Sequence, residues 1–170
     1  LNNNPAIVQT QLIYNQRGQL SQRLRYNGQD TTMYQYTTHG ALSALLNEHF
    51  SEYLFYADSL LNDAVACYNG NISAMNICLG DSLYYFAYYY DQYNRLHKSS
   101  FLTNDGLQPN ECFDFDAMGN LMGLQRYTLQ NRLLDDLSFA LNGNQVISIT
   151  DNAQATDLYN NLGNQAADYA

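Results

Sequence analysis

Short runs of alternating apolar and polar residues recur along the chain, each ending in a turn signal. They include Gln11-Leu12-Ile13-Tyr14, Thr32-Met33-Tyr34-Gln35-Tyr36, Tyr84-Tyr85-Phe86-Ala87-Tyr88-Tyr89-Tyr90 and Glu111-Cys112-Phe113-Asp114-Phe115. In the last run Phe113 and Phe115 share one side and Asp114 and Asp116 the other, the two-residue period of a half-buried strand. Leu137-Ser138-Phe139-Ala140-Leu141 has the same period, and partner strands are predicted over 20–26, 72–77, 121–127 and 146–150. Residues 41–46 contain good helix formers, but their place after a turn puts them in a strand, since tertiary context overrides propensity. The Asn-rich segment 152–170 reads as a polar tail, coil or a short helix, behind a repeat region over 1–151.

The turns share a pattern. Tyr14-Asn15-Gln16-Arg17-Gly18-Gln19-Leu20 aligns with Tyr36-Thr37-Thr38-His39-Gly40-Ala41-Leu42, Tyr90-Asp91-Gln92-Tyr93-Asn94-Arg95-Leu96 and Phe115-Asp116-Ala117-Met118-Gly119-Asn120-Leu121. Shortened copies are Tyr68-Asn69-Gly70-Asn71-Ile72 and Leu141-Asn142-Gly143-Asn144-Gln145-Val146. The Asp or Asn after the aromatic bonds back to its own backbone and starts a turn. The Gly or Asn that follows supplies positive φ, and the aromatic and aliphatic residues meet across two strands. The unit is a β-hairpin, and its turn positions are Asn15, Gly18, Gly40, Asn69, Gly70, Asp91, Asn94, Asp116, Gly119, Asn142 and Gly143.

Composition agrees with sheet. Tyr contributes 16 of the 170 residues while charged residues make up only 14%, too aromatic for disorder and too poor in Glu, Lys and Arg for an ordinary helical bundle. The formal charge of −9, with scattered basic residues, argues against nucleic acid as a partner. The apolar stretch near Leu83 falls far short of the ~20 residues that span a bilayer, so no membrane insertion is expected. The first residues carry neither a basic nor an apolar leader region, and the chain reads as a piece of something longer.

The units Tyr90-Asp91-Gln92-Tyr93-Asn94-Arg95-Leu96 and Phe115-Asp116-Ala117-Met118-Gly119-Asn120-Leu121 resemble the YD repeat of Rhs proteins. Tyr68-Asn69-Gly70-Asn71-Ile72-Ser73-Ala74-Met75 and Leu141-Asn142-Gly143-Asn144-Gln145-Val146 are similar to the Rhs-type proteins common in Bacteroidetes. In that family, and in the related toxin-complex C components and teneurins, many repeats wind into a hollow β-shell around a C-terminal toxin or effector. The resemblance implies an all-β fold: a curved antiparallel sheet of successive hairpins, a partial shell that does not close. It implies an exported protein, secreted or at the cell surface, with further Rhs-type repeats or another copy of itself as partner. The Asp-Pro core motif of self-cleaving members is missing, and no toxin domain follows in this sequence.

Catalytic signals are sparse. Asp114 and Asp116, and the adjacent Asp135 and Asp136, are the carboxylate pairs a glycosidase would use, but Asp91 and Asp116 already have a turn role. His39, His49 and His97 lack metal-site spacing, and Cys67, Cys78 and Cys112 read as small buried hydrophobes. No catalytic residue, metal ligand or cofactor is assigned. Tyr85, Tyr89 and Tyr93 are the binding candidates, because exposed tyrosines stack on sugar rings. A free-standing, Tyr-rich surface module for glycans is therefore the alternative to a structural segment.

Overall fold

The computed structural model describes residues 8–57, 64–103, 106–128, 131–153 and 165–166. The rest of the polar tail, including any helix there, lies outside the described residues. The strands are β1 (Thr10–Tyr14), β2 (Leu20–Arg25), β3 (Asp30–Tyr36), β4 (Leu42–Leu46), β5 (Phe50–Phe55) and β6 (Ala74–Leu79). They continue as β7 (Ser82–Tyr90), β8 (Leu96–Thr103), β9 (Gly106–Phe115), β10 (Leu121–Tyr127), β11 (Leu133–Asn142), β12 (Gln145–Asp151) and β13 (Gln165–Ala166). Among the described residues the helical content is one short 3-10 turn, Tyr26–Gly28. The chain is all-β, and residues 41–46 do form strand β4 for most of their length.

Two compact units divide between Tyr85 and Phe86, inside β7. In the first, β1 to β6 pair antiparallel in chain order. Among the described residues strand β1 bonds to β2 on one side only, and the sheet does not close. The second unit runs from the end of β7 to β13 in the same way.

The repeat sets the register. In each full unit the aromatic opposes the aliphatic across the turn: Tyr14 with Leu20, Tyr36 with Leu42, Tyr90 with Leu96 and Phe115 with Leu121. A bulge accompanies each pair, between Ile13 and Tyr14, Gln35 and Tyr36, Tyr89 and Tyr90, and on the returning strand between Leu121 and Gly123. One extra residue per hairpin leaves these positions re-aimed and locally more twisted. In the first unit the aromatic also ties hairpins together, since the Tyr36 hydroxyl donates to the Leu20 carbonyl and the Tyr56 hydroxyl to the Leu42 carbonyl, both at 2.8 Å. Burial pushes the Tyr56 phenol upward, which keeps it a neutral donor. Tyr36→Phe removes one such bond, and urea titration should show a loss of about 1 kcal/mol.

Many of the buried positions are small. Ala44, Ala74 and Ser73 in the first unit, and Ala87, Ser99 and Ser100 in the second, are closed to solvent. Larger side chains sort by register in the second unit. Phe113, Leu124 and Leu137 lie in one row across β9, β10 and β11, and Phe86 meets Phe101 at 5.2 Å on the same face. Lys98, Cys112, Gln125 and Asp136 occupy a row on the opposite face.

Candidate functional site

The turns are built from one constellation. Asn15 Oδ1 accepts from the N–H of Arg17 at 2.9 Å and of Gln19 at 3.0 Å. Asp91 Oδ1 accepts from Tyr93 and Arg95, and Asp116 Oδ1 from Met118 and Asn120, all between 2.8 and 3.0 Å. Asn69 Oδ1 accepts from the Asn71 N–H at 3.1 Å, but this shortened copy is a turn within the connection from β5 to β6 and not the hairpin read from the sequence, since no strand lies in 64–73. Positive φ falls at Gly18, Gly40, Gly70, Asn94, Gly119 and Gly143, while Asn142 pairs with Gln145 to frame the tight last hairpin.

One further copy is not among the units aligned from the sequence, although like Tyr36-Thr37 it has Thr after the aromatic. Tyr127 opposes Leu133 beside a bulge, Asn131 has φ 56°, and Thr128 Oγ1 accepts from the Arg132 N–H at 3.2 Å. Its ends match Tyr90-Asp91 and Asn94-Arg95-Leu96, with Thr128 in place of Asp91. A hydroxyl can start such a turn as a carboxylate does, and Thr37 shows the same substitution, with Oγ1 3.1 Å from the Ala41 N–H.

Successive turns are linked along the sheet. Arg17 Nη1 donates to the Thr38 carbonyl, Gln19 Nε2 to the Gly40 carbonyl and Arg95 Nη1 to the Asp116 carbonyl, at 2.8 to 3.1 Å. Arg95 also donates to Asp91 Oδ2 at 2.6 Å and lies over the Tyr93 and Phe115 rings.

Desolvation pulls the Asp91 carboxyl upward, but the Arg95 backbone N–H, the Arg95 guanidinium and the Tyr93 N–H together hold it below its usual range. For Asp116 the Asn120 side-chain amide is the strongest influence, and the net displacement is again downward. Carboxyls with lowered folded values stabilise the fold fully above the unfolded value near 3.8, and lose that contribution as pH falls through the folded values. Asp91→Asn with Asp116→Asn keeps the acceptor oxygen, as Asn15 and Asn69 do, and removes the charge. Urea midpoints of the double variant should therefore fall less steeply than those of the parent below about pH 4. Equal slopes would assign acid sensitivity to other groups.

The carboxylate pairs do not form a catalytic dyad. Asp116 is folded into its turn, while Asp114 is exposed and pairs with Gly123, where an added Cβ would meet Asp114 Oδ2 at 3.3 Å. Asp135 and Asp136, as strand neighbours, point to opposite faces. Asp135 is fully buried and takes the Arg126 Nε–H at 2.6 Å, whereas Asp136 receives Gln125 Nε2 at 3.0 Å. Among the described residues no group of three His, Cys, Asp or Glu gathers closely enough to hold a metal ion. His39, His49 and His97 are exposed. Cys67 and Cys112 have thiols pushed upward by burial, so they rest as thiols.

Of the candidate aromatics, Tyr85 is buried at 7% exposure and offers no open ring. Tyr89 is half-buried, with the Lys98 ammonium 4.7 Å from its ring centre, and Tyr93 is exposed. Sequence reasoning passed over a cleft of about 730 Å³ in the first unit, lined by Gln35, His39, Ala44, Tyr53, Phe55 and Tyr68 among others. Its walls come from β3, β4, β5 and the segment after β5, a grouping that only the strand order creates.

No family model matches the chain, and no curated protein matches it. Solved structures with local likeness are crystal structures of TcdB2-TccC3-TEV, of TcdB2-TccC3, and of TcdB2-TccC3 without the hypervariable C-terminal region. Identities are 14%, 15% and 16%, over 89%, 86% and 86% of this chain, with a TM-score of 0.25 in each case. The chain spans 12% of the length of each of those chains. A TM-score that low lends no weight to any assignment.

Proposed function

We propose that this chain is a non-catalytic structural segment of an exported Rhs-like repeat protein, a stretch of β-shell that encases a toxin or effector or mediates contact at the cell surface. The observation that carries the reading is the recurrence of one turn constellation, including the copy at Tyr127, with side chains bonding one turn to the next. Side-chain chemistry is spent on holding hairpins in register. Asp91 and Asp116, the most distinctive acidic residues of the repeat, have their oxygens engaged inside their own turns.

The partners in this reading are further repeats of the same kind or a second copy of the chain. Among the described residues strand β1 pairs with β2 alone, and Leu12, Ile13 and Tyr14 on it are exposed. Unprotected edges pair with other strands. Light scattering at tens of micromolar should show self-association that falls when Leu12 and Ile13 are both replaced by Lys. A strictly monomeric mass would remove this edge from the proposal. The shell itself is tested on the parent polypeptide: electron microscopy should show a hollow β-walled particle holding a protease-resistant segment. A solid particle with no enclosed chain would overturn the reading.

A further inference from the structure

We propose that the cleft of the first unit binds a short neutral oligosaccharide, an activity separate from the structural role of the repeats. Its floor is a register row. Gln35, Ala44 and Tyr53 oppose one another across β3, β4 and β5, so their side chains share one face of the sheet. The central residue is buried and has only a methyl group, which leaves a hollow between the exposed Gln35 amide and the Tyr53 ring. Phe55 extends the same face, two residues along β5. The Thr37-to-Ala41 turn and the Tyr68 loop complete the walls.

Two features select the ligand class. Among the described residues that line the cleft none is Asp, Glu, Lys or Arg, although the chain as a whole carries −9. A charged ligand would enter without a counter-charge and lose hydration for nothing in return. The lining is aromatic faces together with amide, hydroxyl and imidazole groups, the combination that stacks on one face of a sugar ring and bonds to its hydroxyls. Tyr68 is 87% exposed at the rim and Tyr53 is 38% exposed, so both rings are open to a ligand. The Tyr56 hydroxyl, committed to the Leu42 carbonyl, is wall and not contact. A volume of about 730 Å³ lies within the ~300–1,000 Å³ of small-molecule sites.

The probes are maltotriose, cellotriose and triacetylchitotriose, with a heparin tetrasaccharide as the anionic comparison. Saturation-transfer NMR and calorimetry should give saturable binding of at least one neutral trisaccharide. Tyr68→Ala and His39→Ala, both at exposed positions, should each weaken it at least tenfold, Tyr68→Phe should retain it, and Tyr93→Ala, outside the cleft, should leave it unchanged. Circular dichroism checks that every variant is folded. No neutral binding at millimolar sugar, preference for the heparin fragment, or loss in Tyr93→Ala with Tyr68→Ala unaffected would each overturn the assignment. These outcomes leave the shell reading untouched, because it rests on the turns.

Discussion

Replacing Arg126 with Met should lower the unfolding free energy by about 3 kcal/mol at neutral pH. Asp135 has no exposed side-chain surface, and it sits on the face that carries Leu124 and Leu137, directly across from Arg126. The guanidinium bond at 2.6 Å compensates for the hydration that the carboxylate gives up on folding. Removing one partner of a buried pair typically costs about 3–5 kcal/mol, and the lower end applies because Arg126 keeps 30% of its side-chain surface in water. Arg126→Met with Asp135→Leu removes the charge as well, and should recover most of the loss. Urea denaturation of the three variants decides the matter: a loss under about 1 kcal/mol in Arg126→Met would show that the guanidinium is not what keeps Asp135 in place.

Gly119→Val should cost about 2 kcal/mol, while Gly119→Asn should cost less than about 1 kcal/mol. Gly119 has φ 90°, yet a Cβ built there meets nothing within 4 Å. Crowding by neighbours is therefore absent, and the loss for Val comes from the backbone, where a β-branched side chain disfavours positive φ. Asn is accepted at the matching position of two sister turns, as Asn94 with φ 63° and Asn131 with φ 56°. Thermal melts in which Val and Asn behave alike would mean that the turn relaxes to another geometry.

Hairpins were legible in the sequence because each is coded locally: an aromatic, an acceptor, a positive-φ residue and an aliphatic within seven positions, as from Tyr90 to Leu96. The same locality decided residues 41–46, where the turn at Gly40 outweighed helix-forming Ala and Leu. The copy at Tyr127 was also present in the sequence, with Thr128 in the place Thr37 takes in an aligned unit, and its hydroxyl does the same work. Cross-strand facts were not legible. That Asp135 lies opposite Arg126 follows from the bulge between Arg126 and Tyr127, which shifts the register. The cleft needs Gln35, Ala44 and Tyr53 in one row, which takes the register of two successive ladders, the second across a turn with no copy of the repeat. Tyr85 read as a possible surface aromatic because alternation gives two faces without saying which is covered.

Pairing in chain order within each unit bears on how the protein folds. Most ladders join strands separated by one tight turn, so little chain entropy is lost before contacts form, and the contact order is low for an all-β chain. Any hairpin can then serve as a starting point, with growth passing to its neighbours as in a one-dimensional array. Unfolding reverses that route from the ends. Strand β1, exposed along all five of its residues, should exchange its amide hydrogens before β3 and β4, by local opening that precedes the global transition.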